Sequence, residues 1–154
     1  EEEPVKHWLE TIDTDYLLCA HTHYPGELRY QNRHYFNSGC AGIAIGDAGL
    51  AQCIVLQSAE EGGKVVWKPQ FLKIPYDNHK VAEDMKSGGL LDYAPWFTNS
   101  NLYNILTGTD YSAQMAALAG KLAAEENPQA KWPLIEEKYF ELAAEYYGIP
   151  DYRK

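Results

Sequence analysis

The sequence has little of the positive charge that would direct a protein to nucleic acid. It carries 13 lysine and arginine residues against 22 aspartate and glutamate residues, which gives a formal net charge of -9. Because nucleic-acid binding usually needs a basic face that neutralises phosphates, this balance argues against a general polyanion binder. It does not exclude chemistry on phosphates, since bound metal cations can supply positive charge locally.

Long apolar runs and paired cysteines are also missing. No stretch approaches the roughly 18 apolar residues of a transmembrane helix, and no basic segment followed by an apolar one marks a secretory signal. The three cysteines, Cys19, Cys40 and Cys53, are an odd number without CxxC spacing, which is typical of free thiols in a reducing compartment. We therefore expect a cytoplasmic protein that does not contact membranes.

Apolar residues nevertheless form 45% of the chain, which is enough to bury a hydrophobic core. Helical spacing of apolar residues after Pro4 predicts a short amphipathic helix that ends near Ile12. Pro69, inside an otherwise strand-like segment, indicates an edge position or a bulge. Apolar runs bounded by turn residues predict five strands, over residues 16–20, 28–30, 34–36, 51–56 and 65–74.

The pattern changes to helices at Asp77, which is a suitable N-cap. Gly88 and Gly89 are expected to end the first of these helices. We therefore predict an α/β (α+β) fold in which residues 1–76 carry the strands and residues 77–154 form a helical segment packed on the same domain. Three further helices are predicted, over residues 95–106, 112–126 and 133–147.

Two histidines separated by one residue, His21 and His23, follow the first predicted strand. Residues two apart in an extended segment project to the same side, so both imidazoles can face one centre. Neutral imidazole is a common ligand for zinc, iron, manganese and nickel ions. In a chain with five histidines such a pair also arises by chance, so the spacing alone leaves open a metal site or an incidental pair.

The surroundings of the pair carry a more specific pattern. Residues 17–25 contain the end of a predicted strand and the two histidines. A predicted hairpin follows, and it ends at the turn of residues 37–42. This order resembles the C-terminal signature of calcineurin-like metallophosphoesterases, in which a buried strand leads into Gly-His-x-His and a hairpin ends in an Asn-Pro-Gly-Ser type of turn. The resemblance covers about the first half of the chain. It departs from the family pattern at Ala20, where the family has Gly, and at Ser38 and Cys40, where Pro and Ser are common.

The resemblance implies a function, a metal centre and a fold. His21 would bind one divalent ion and His23 a second, the ions being manganese, iron, zinc, nickel or cobalt. Together the two ions would position and acidify a water for attack on a phosphomonoester or phosphodiester. Asn37, Gly39 and Cys40 would bind the phosphate-ester substrate or support the site. Residues 1–76 would supply the second sheet and metal-ligand loop of an αββα sandwich, and the helical segment would pack on it.

The other ligands of that family are missing upstream of His21. The family site also needs an Asp-x-His, a Gly-Asp, a Gly-Asn-His and one more histidine, whereas His7 is the only histidine before the pair. Since even a catalytic zinc site usually has three protein ligands, we expect an incomplete C-terminal portion that is inactive alone, needs the missing N-terminal half and self-associates. The alternative is a noncatalytic interaction module with the same framework.

Other candidate residues have simpler interpretations. Cys40 and His34 could form a thiol nucleophile and its base, but a small buried cysteine is the simpler reading. Asn37 could orient a ligand or simply stabilise a turn, and its sequence context favours neither. The aromatic residues of the second half could form a substrate lid or a partner surface, although aromatics at helical spacing are more often core; they are Trp96, Phe97, Tyr103, Trp132, Tyr139, Phe140, Tyr146 and Tyr147.

Overall fold

A computed structural model of the protein describes residues 2–154. Those residues form six α-helices and five β-strands. The chain divides into two compact units, one made of Glu1–Ile45 and Leu50–Tyr76 and the other of Gly46–Gly49 and Asp77–Lys154. The mixed α/β character expected from the sequence is confirmed, with the strands in the first unit and most of the helices in the second.

The predicted elements of the first unit are present, and four of the five strands are longer than expected, β4 most of all. Its elements are α1 (Glu2–Thr11), β1 (Tyr16–Cys19), β2 (Gly26–Tyr30), β3 (Arg33–Asn37), β4 (Leu50–Glu61) and β5 (Lys64–Pro75). The second unit contains α2 (Asn78–Ser87), α3 (Leu90–Tyr93), α4 (Pro95–Thr107), α5 (Ser112–Glu126) and α6 (Glu137–Tyr146).

The first sheet has the strand order β1-β3-β2, so β3 is its central strand. It pairs in parallel with β1 and antiparallel with β2. In this register Asn37, the last residue of β3, lies between Cys19 at the end of β1 and Gly26 at the start of β2. The loop of residues 20–25 and the turn that follows Asn37 therefore meet at one edge of the sheet.

Helix α1 is fastened to one face of this sheet by polar contacts around a buried leucine. Leu9 is fully buried, and the Arg33 guanidinium donates hydrogen bonds to the carbonyl oxygens of Leu9 and Ile12. The Tyr30 hydroxyl donates to the Glu10 carboxylate at 2.8 Å. Tyr30 and Arg33, which pair directly at the end of the β2–β3 hairpin, thus hold α1 against the sheet.

The opposite face of the sheet is aromatic. The rings of His34, Tyr16 and the buried Phe36 form a cluster, with centroid distances of 5.2 Å from His34 to Tyr16, 5.9 Å from His34 to Phe36 and 6.3 Å from Tyr16 to Phe36. The Tyr16 hydroxyl also accepts a hydrogen bond from the backbone N–H of Trp67 in β5, at 3.1 Å. These contacts join the two sheets of the first unit.

Strands β4 and β5 form a long antiparallel hairpin whose register runs without interruption from Leu50↔Pro75 to Glu61↔Lys64. Pro69 pairs with Leu56 within this ladder, so there is no bulge at that point. Both strands of a two-stranded sheet are edges, which confirms the edge position predicted for Pro69. The strands exceed the predicted ranges because backbone pairing continues past the apolar residues that identified them.

The helical unit is built around small residues on facing helices. Ala119 and Ala123 of α5 and Ala143 of α6 are fully buried, which lets the two backbones approach closely. Trp96, Met115, Ala144 and Ile149 complete this cluster together with Tyr139. No helix found within residues 2–154 has the length and apolar character needed to cross a membrane.

Most helix limits follow their predicted signals. The Asp77 carboxylate accepts the Lys80 N–H at 2.9 Å, which confirms the predicted N-cap of α2, and α5 covers the predicted residues 112–126. The prediction that the last helix begins at Pro133 is wrong, since α6 begins at Glu137. Residues 131–134 instead form a turn, closed by the Leu134 N–H donating to the Lys131 carbonyl at 2.7 Å.

Candidate functional site

The two histidines of the predicted metal site lie in the loop of residues 20–25, between β1 and β2. This loop is not extended: φ is 77° at His21 and 61° at His23, and the Thr22 N–H donates to the Ala20 carbonyl at 3.0 Å. That bond makes His21 the centre of a three-residue γ-turn. The expectation that the pair lies on extended backbone is therefore wrong. The chain must reverse between β1 and β2 within a few residues, and the turn at His21 begins that reversal.

The backbone of this loop is strained. A non-glycine residue at positive φ costs of the order of 1–3 kcal/mol and persists only where its surroundings fix it. Within the described part of the chain only His21, His23 and Gln31 have this conformation, so two of the three cases are the predicted metal ligands. Gln31 is in the tight turn between β2 and β3, where a positive φ is ordinary.

Both imidazoles are available to a ligand. His21 is exposed and His23 is half-buried, and neither has a hydrogen-bond or ion-pair partner among residues 2–154. Across the same residues, no group of three or more histidine, cysteine, aspartate or glutamate side chains is placed to hold a metal ion. The loop therefore offers two nitrogen ligands, which is fewer than the three protein ligands of a usual catalytic zinc site.

Asn37 fixes the conformation of the histidine loop. Its side chain is buried, and its Nδ2 donates to the Thr22 hydroxyl at 3.0 Å and to the Ala20 carbonyl at 3.3 Å. On the other side its Oδ1 accepts the N–H of Gly39 at 3.0 Å. A single amide thus ties the histidine loop to the turn that follows β3. Of the two interpretations left open by the sequence, the structure bears out the stabilised turn, and a role in orienting a bound ligand stays a prediction.

Only glycine fits at position 39 without strain or overlap. Its φ is +78°, and a Cβ built on it would overlap the Oε1 of Gln52 and lie 2.9 Å from the Gln52 Cβ. Gln52 is a buried residue of β4 whose Oε1 accepts the Cys40 N–H at 3.1 Å and whose Nε2 donates to the Ile45 carbonyl at 3.2 Å. Gln52 and Asn37 thus both hydrogen-bond to this turn, at Cys40 and at Gly39 respectively.

Sequence reasoning did not identify Gln52. The signal that could have revealed it is a single polar side chain within the apolar run of residues 51–56. A buried amide in such a strand needs hydrogen-bond partners, and the nearby glycine-rich loop has backbone groups that no regular element satisfies.

Cys40 supports the turn and does not pair with a base. Its half-buried Sγ accepts the Ile43 N–H at 3.2 Å. His34 packs against the rings of Tyr16 and Phe36, with its Nδ1 3.6 Å from the Glu27 carboxylate. No hydrogen bond joins Cys40 to His34 in the described chain, so the structure does not bring together the nucleophile and base considered from the sequence.

A cleft of about 460 Å³ lies between α1 and the histidine loop. Thr22, Tyr24 and Asn37 line it on the loop side, and Val5 and Trp8 line it on the helix side. The Asn37 amide that positions the histidines therefore also borders a cleft large enough for a small substrate.

The geometry defines a loop, supported by Asn37, that carries two unpaired imidazoles. Thr22 and Tyr24 of this loop are among the described residues that line the cleft, whereas His21 and His23 are not. No protein-family model, curated protein or solved structure matches the chain. A functional assignment therefore depends on the loop itself and on the family signature that its residues resemble.

Proposed function

We propose that the chain is part of a metal-dependent phosphoesterase with a dinuclear metal centre, in which His21 and His23 each bind one of two divalent ions. One observation carries this proposal: two histidines are held at positive φ in a loop that a buried amide fixes. Glycine adopts that conformation without cost, whereas a histidine there is strained. Strain of this kind is typical of functional sites.

The donor set fits part of such a centre. The two imidazoles supply one nitrogen ligand each, and manganese, iron, zinc, nickel and cobalt all accept imidazole. Further ligands are needed, and in the family that the loop resembles they precede it in an Asp-x-His, a Gly-Asp and a Gly-Asn-His. We therefore propose that residues 1–154 are the C-terminal portion of an αββα phosphoesterase, with the missing ligands on an N-terminal half.

An uncovered apolar surface supports this proposal. Val65, Trp67 and Phe71 alternate along β5, so they share one face of the strand, and all three are exposed. An exposed apolar face of this kind marks an interaction site. In the proposed arrangement the N-terminal half covers it, and a second copy covers it when that half is absent.

Bound divalent ions would supply the water activation and the positive charge that phosphate hydrolysis needs. Other residues of this chain hold the two histidine ligands in position. Asn37 fixes the backbone that bears both histidines, and Gly39 and Gln52 fix Asn37 by locking the turn to which its Oδ1 is bonded. The three free cysteines support a reducing, cytoplasmic location.

The test is phosphatase activity of the intact protein, with p-nitrophenyl phosphate and its bis ester as substrates and manganese present. His21→Ala and His23→Ala are each expected to lose at least about 100-fold in activity, because even the loss of an outer-shell partner of a metal ligand costs 10–100-fold. His79→Ala is the matched control, since His79 is an exposed histidine of α2. Full activity in both loop variants would refute the proposal.

The alternative of a noncatalytic interaction module is favoured by Ala20, Ser38 and Cys40, which replace residues common in the family motif. The reading frame upstream of Glu1 separates the two proposals. An Asp-x-His followed by Gly-Asp and Gly-Asn-His supports the enzyme, and an upstream half that lacks all of these supports the module. The 154-residue chain alone is expected to be inert with p-nitrophenyl phosphate and manganese.

A further inference from the structure

The helical unit contains a cavity of about 410 Å³ whose wall is largely aromatic. This volume falls in the range of small-molecule sites. Five rings line it: Tyr93, Trp96, Phe97, Trp132 and Phe140.

Three of these rings do not belong to the hydrophobic core. Tyr93 is 92% exposed, Phe97 is 69% exposed and Trp132 is 73% exposed. Single exposed aromatic residues are ordinary, but three around one cavity leave a contiguous apolar patch in water. Trp96 and Phe140, in contrast, are part of the packed cluster or in contact with it. The aromatic residues of the second half therefore serve both as core and as the wall of a cavity.

One carboxylate lies on the cavity wall. Glu137, the first residue of α6, is the one charged residue among the described residues that line it. Arg153 approaches Glu137 at 3.9 Å. Its guanidinium, however, is bonded through Nε and Nη2 to the two carboxylate oxygens of Asp151, at 2.8 and 3.0 Å.

The positive charge of Arg153 is therefore paired with the Asp151 carboxylate. The hydrogen bonds from Arg153 hold the pKa of the Asp151 carboxyl well below its usual range, so this carboxylate stays ionised and paired. Among the described residues, Glu137 is left as the one carboxylate on the cavity wall, without a guanidinium of its own, and Lys154 also lies 3.6 Å from Asp151 rather than at the cavity.

Besides Glu137 and the aromatic rings, the polar side chains on the described part of the wall are two serines, whose hydroxyl hydrogens are donated elsewhere, Ser112 to Asp110 at 2.6 Å and Ser100 to the Phe97 carbonyl at 3.0 Å. A primary ammonium brings three N–H donors that need acceptors, whereas a quaternary ammonium brings none. Aromatic faces attract such a cation through the ring quadrupole. The same cluster already holds one cation in this way, since the Arg153 guanidinium lies 5.2 Å from the Trp96 ring centroid.

We propose that this cavity binds a small organic molecule bearing a quaternary ammonium group, with the aromatic rings against its methyl groups and the Glu137 carboxylate balancing its charge. Aromatic walls with a neighbouring carboxylate suit this cation better than a neutral or anionic ligand.

The first experiment compares two probes of one shape by isothermal titration calorimetry on the 154-residue chain. Choline carries a trimethylammonium group, and 3,3-dimethylbutan-1-ol replaces its nitrogen with carbon. Choline is expected to bind saturably and at least about tenfold more tightly than the neutral alcohol, since cation–π contacts to several rings together exceed the free energy of one tenfold step. Equal affinity for the two probes, or no saturable binding of choline, would overturn the proposal.

Substitutions then test whether the residues that line the cavity contribute to choline binding. Trp132→Ala and Phe97→Ala are each expected to weaken choline binding by about tenfold, and Glu137→Gln by a smaller factor. The matched control is Tyr146→Ala, because Tyr146 is 76% exposed on α6 but does not line the cavity. Because the two truncated rings are largely exposed, unchanged circular dichroism and thermal unfolding are expected for both. Unweakened binding in both ring variants, or an equal loss in Tyr146→Ala, would contradict the assignment.

Discussion

Replacing Gly39 with alanine tests how the turn beside the histidine loop is held. Two costs add. An L-residue at φ +78° costs about 1–2 kcal/mol. The new methyl group also overlaps the Gln52 amide, which must move away from the Cys40 N–H and the Ile45 carbonyl. Each of those buried hydrogen bonds contributes about 0.5–1.5 kcal/mol, so the free energy of unfolding should fall by about 2–5 kcal/mol in total.

Alanine substitutions at two other glycines separate the backbone cost from the cost of displacing the Gln52 amide. A Cβ at Gly42 meets nothing within 4 Å, and its backbone is outside the positive-φ region, so Gly42→Ala should be close to neutral. Gly62 has φ +59° and also meets nothing within 4 Å, so Gly62→Ala should show the backbone cost of about 1–2 kcal/mol alone. Urea unfolding followed by circular dichroism gives all three values. A loss for Gly39→Ala no larger than that for Gly62→Ala would refute the role of Gln52 as a clamp.

Three further predictions concern the histidine loop and the helical unit. His21→Gly and His23→Gly should each raise the free energy of unfolding by about 1 kcal/mol in urea titrations, because glycine relieves the positive-φ strain, and a loss of stability in both would show that the loop is not strained. Asp77→Ala should cost about 1 kcal/mol in the same assay through loss of the N-cap bond to Lys80, whereas an unchanged midpoint would contradict the cap. The pKa of Asp151 is lowered in the folded state, chiefly by hydrogen bonds from Arg153, so its stabilising contribution is present above the ordinary carboxyl pKa of about 4 and is lost as the pH falls below it. Asp151→Asn should therefore be less stable than the wild type at pH 7 and should lose less stability on acidification, and parallel pH profiles would contradict this.

The regular elements could be predicted because their signals are local. Apolar spacing and flanking turn residues identified α5 over residues 112–126, and Asp77 marked the start of α2. The start of α6 was not predictable in the same way. Pro133 is favourable at the first turn of a helix, but it is equally favourable in a turn, and here the turn of residues 131–134 forms.

The site depends on contacts between distant residues, which the sequence does not reveal. The spacing of His21 and His23 identified the candidate ligands, but both have positive φ in a loop that is bonded at Ala20 and Thr22 by Asn37, a residue on another strand. Gln52 holds the turn from a third strand. Tertiary contacts of this kind override local preference, which is why the loop was expected to be extended and proved to be a turn.

The central claim is that His21 and His23 bind metal ions, and metal content measures it most directly. The intact protein should be purified without chelators and its divalent metals quantified per chain by mass spectrometry. The account predicts two ions per chain in the wild type and in His79→Ala, and a clear loss in His21→Ala and in His23→Ala. Metal content equal to the wild type in both loop variants would contradict it.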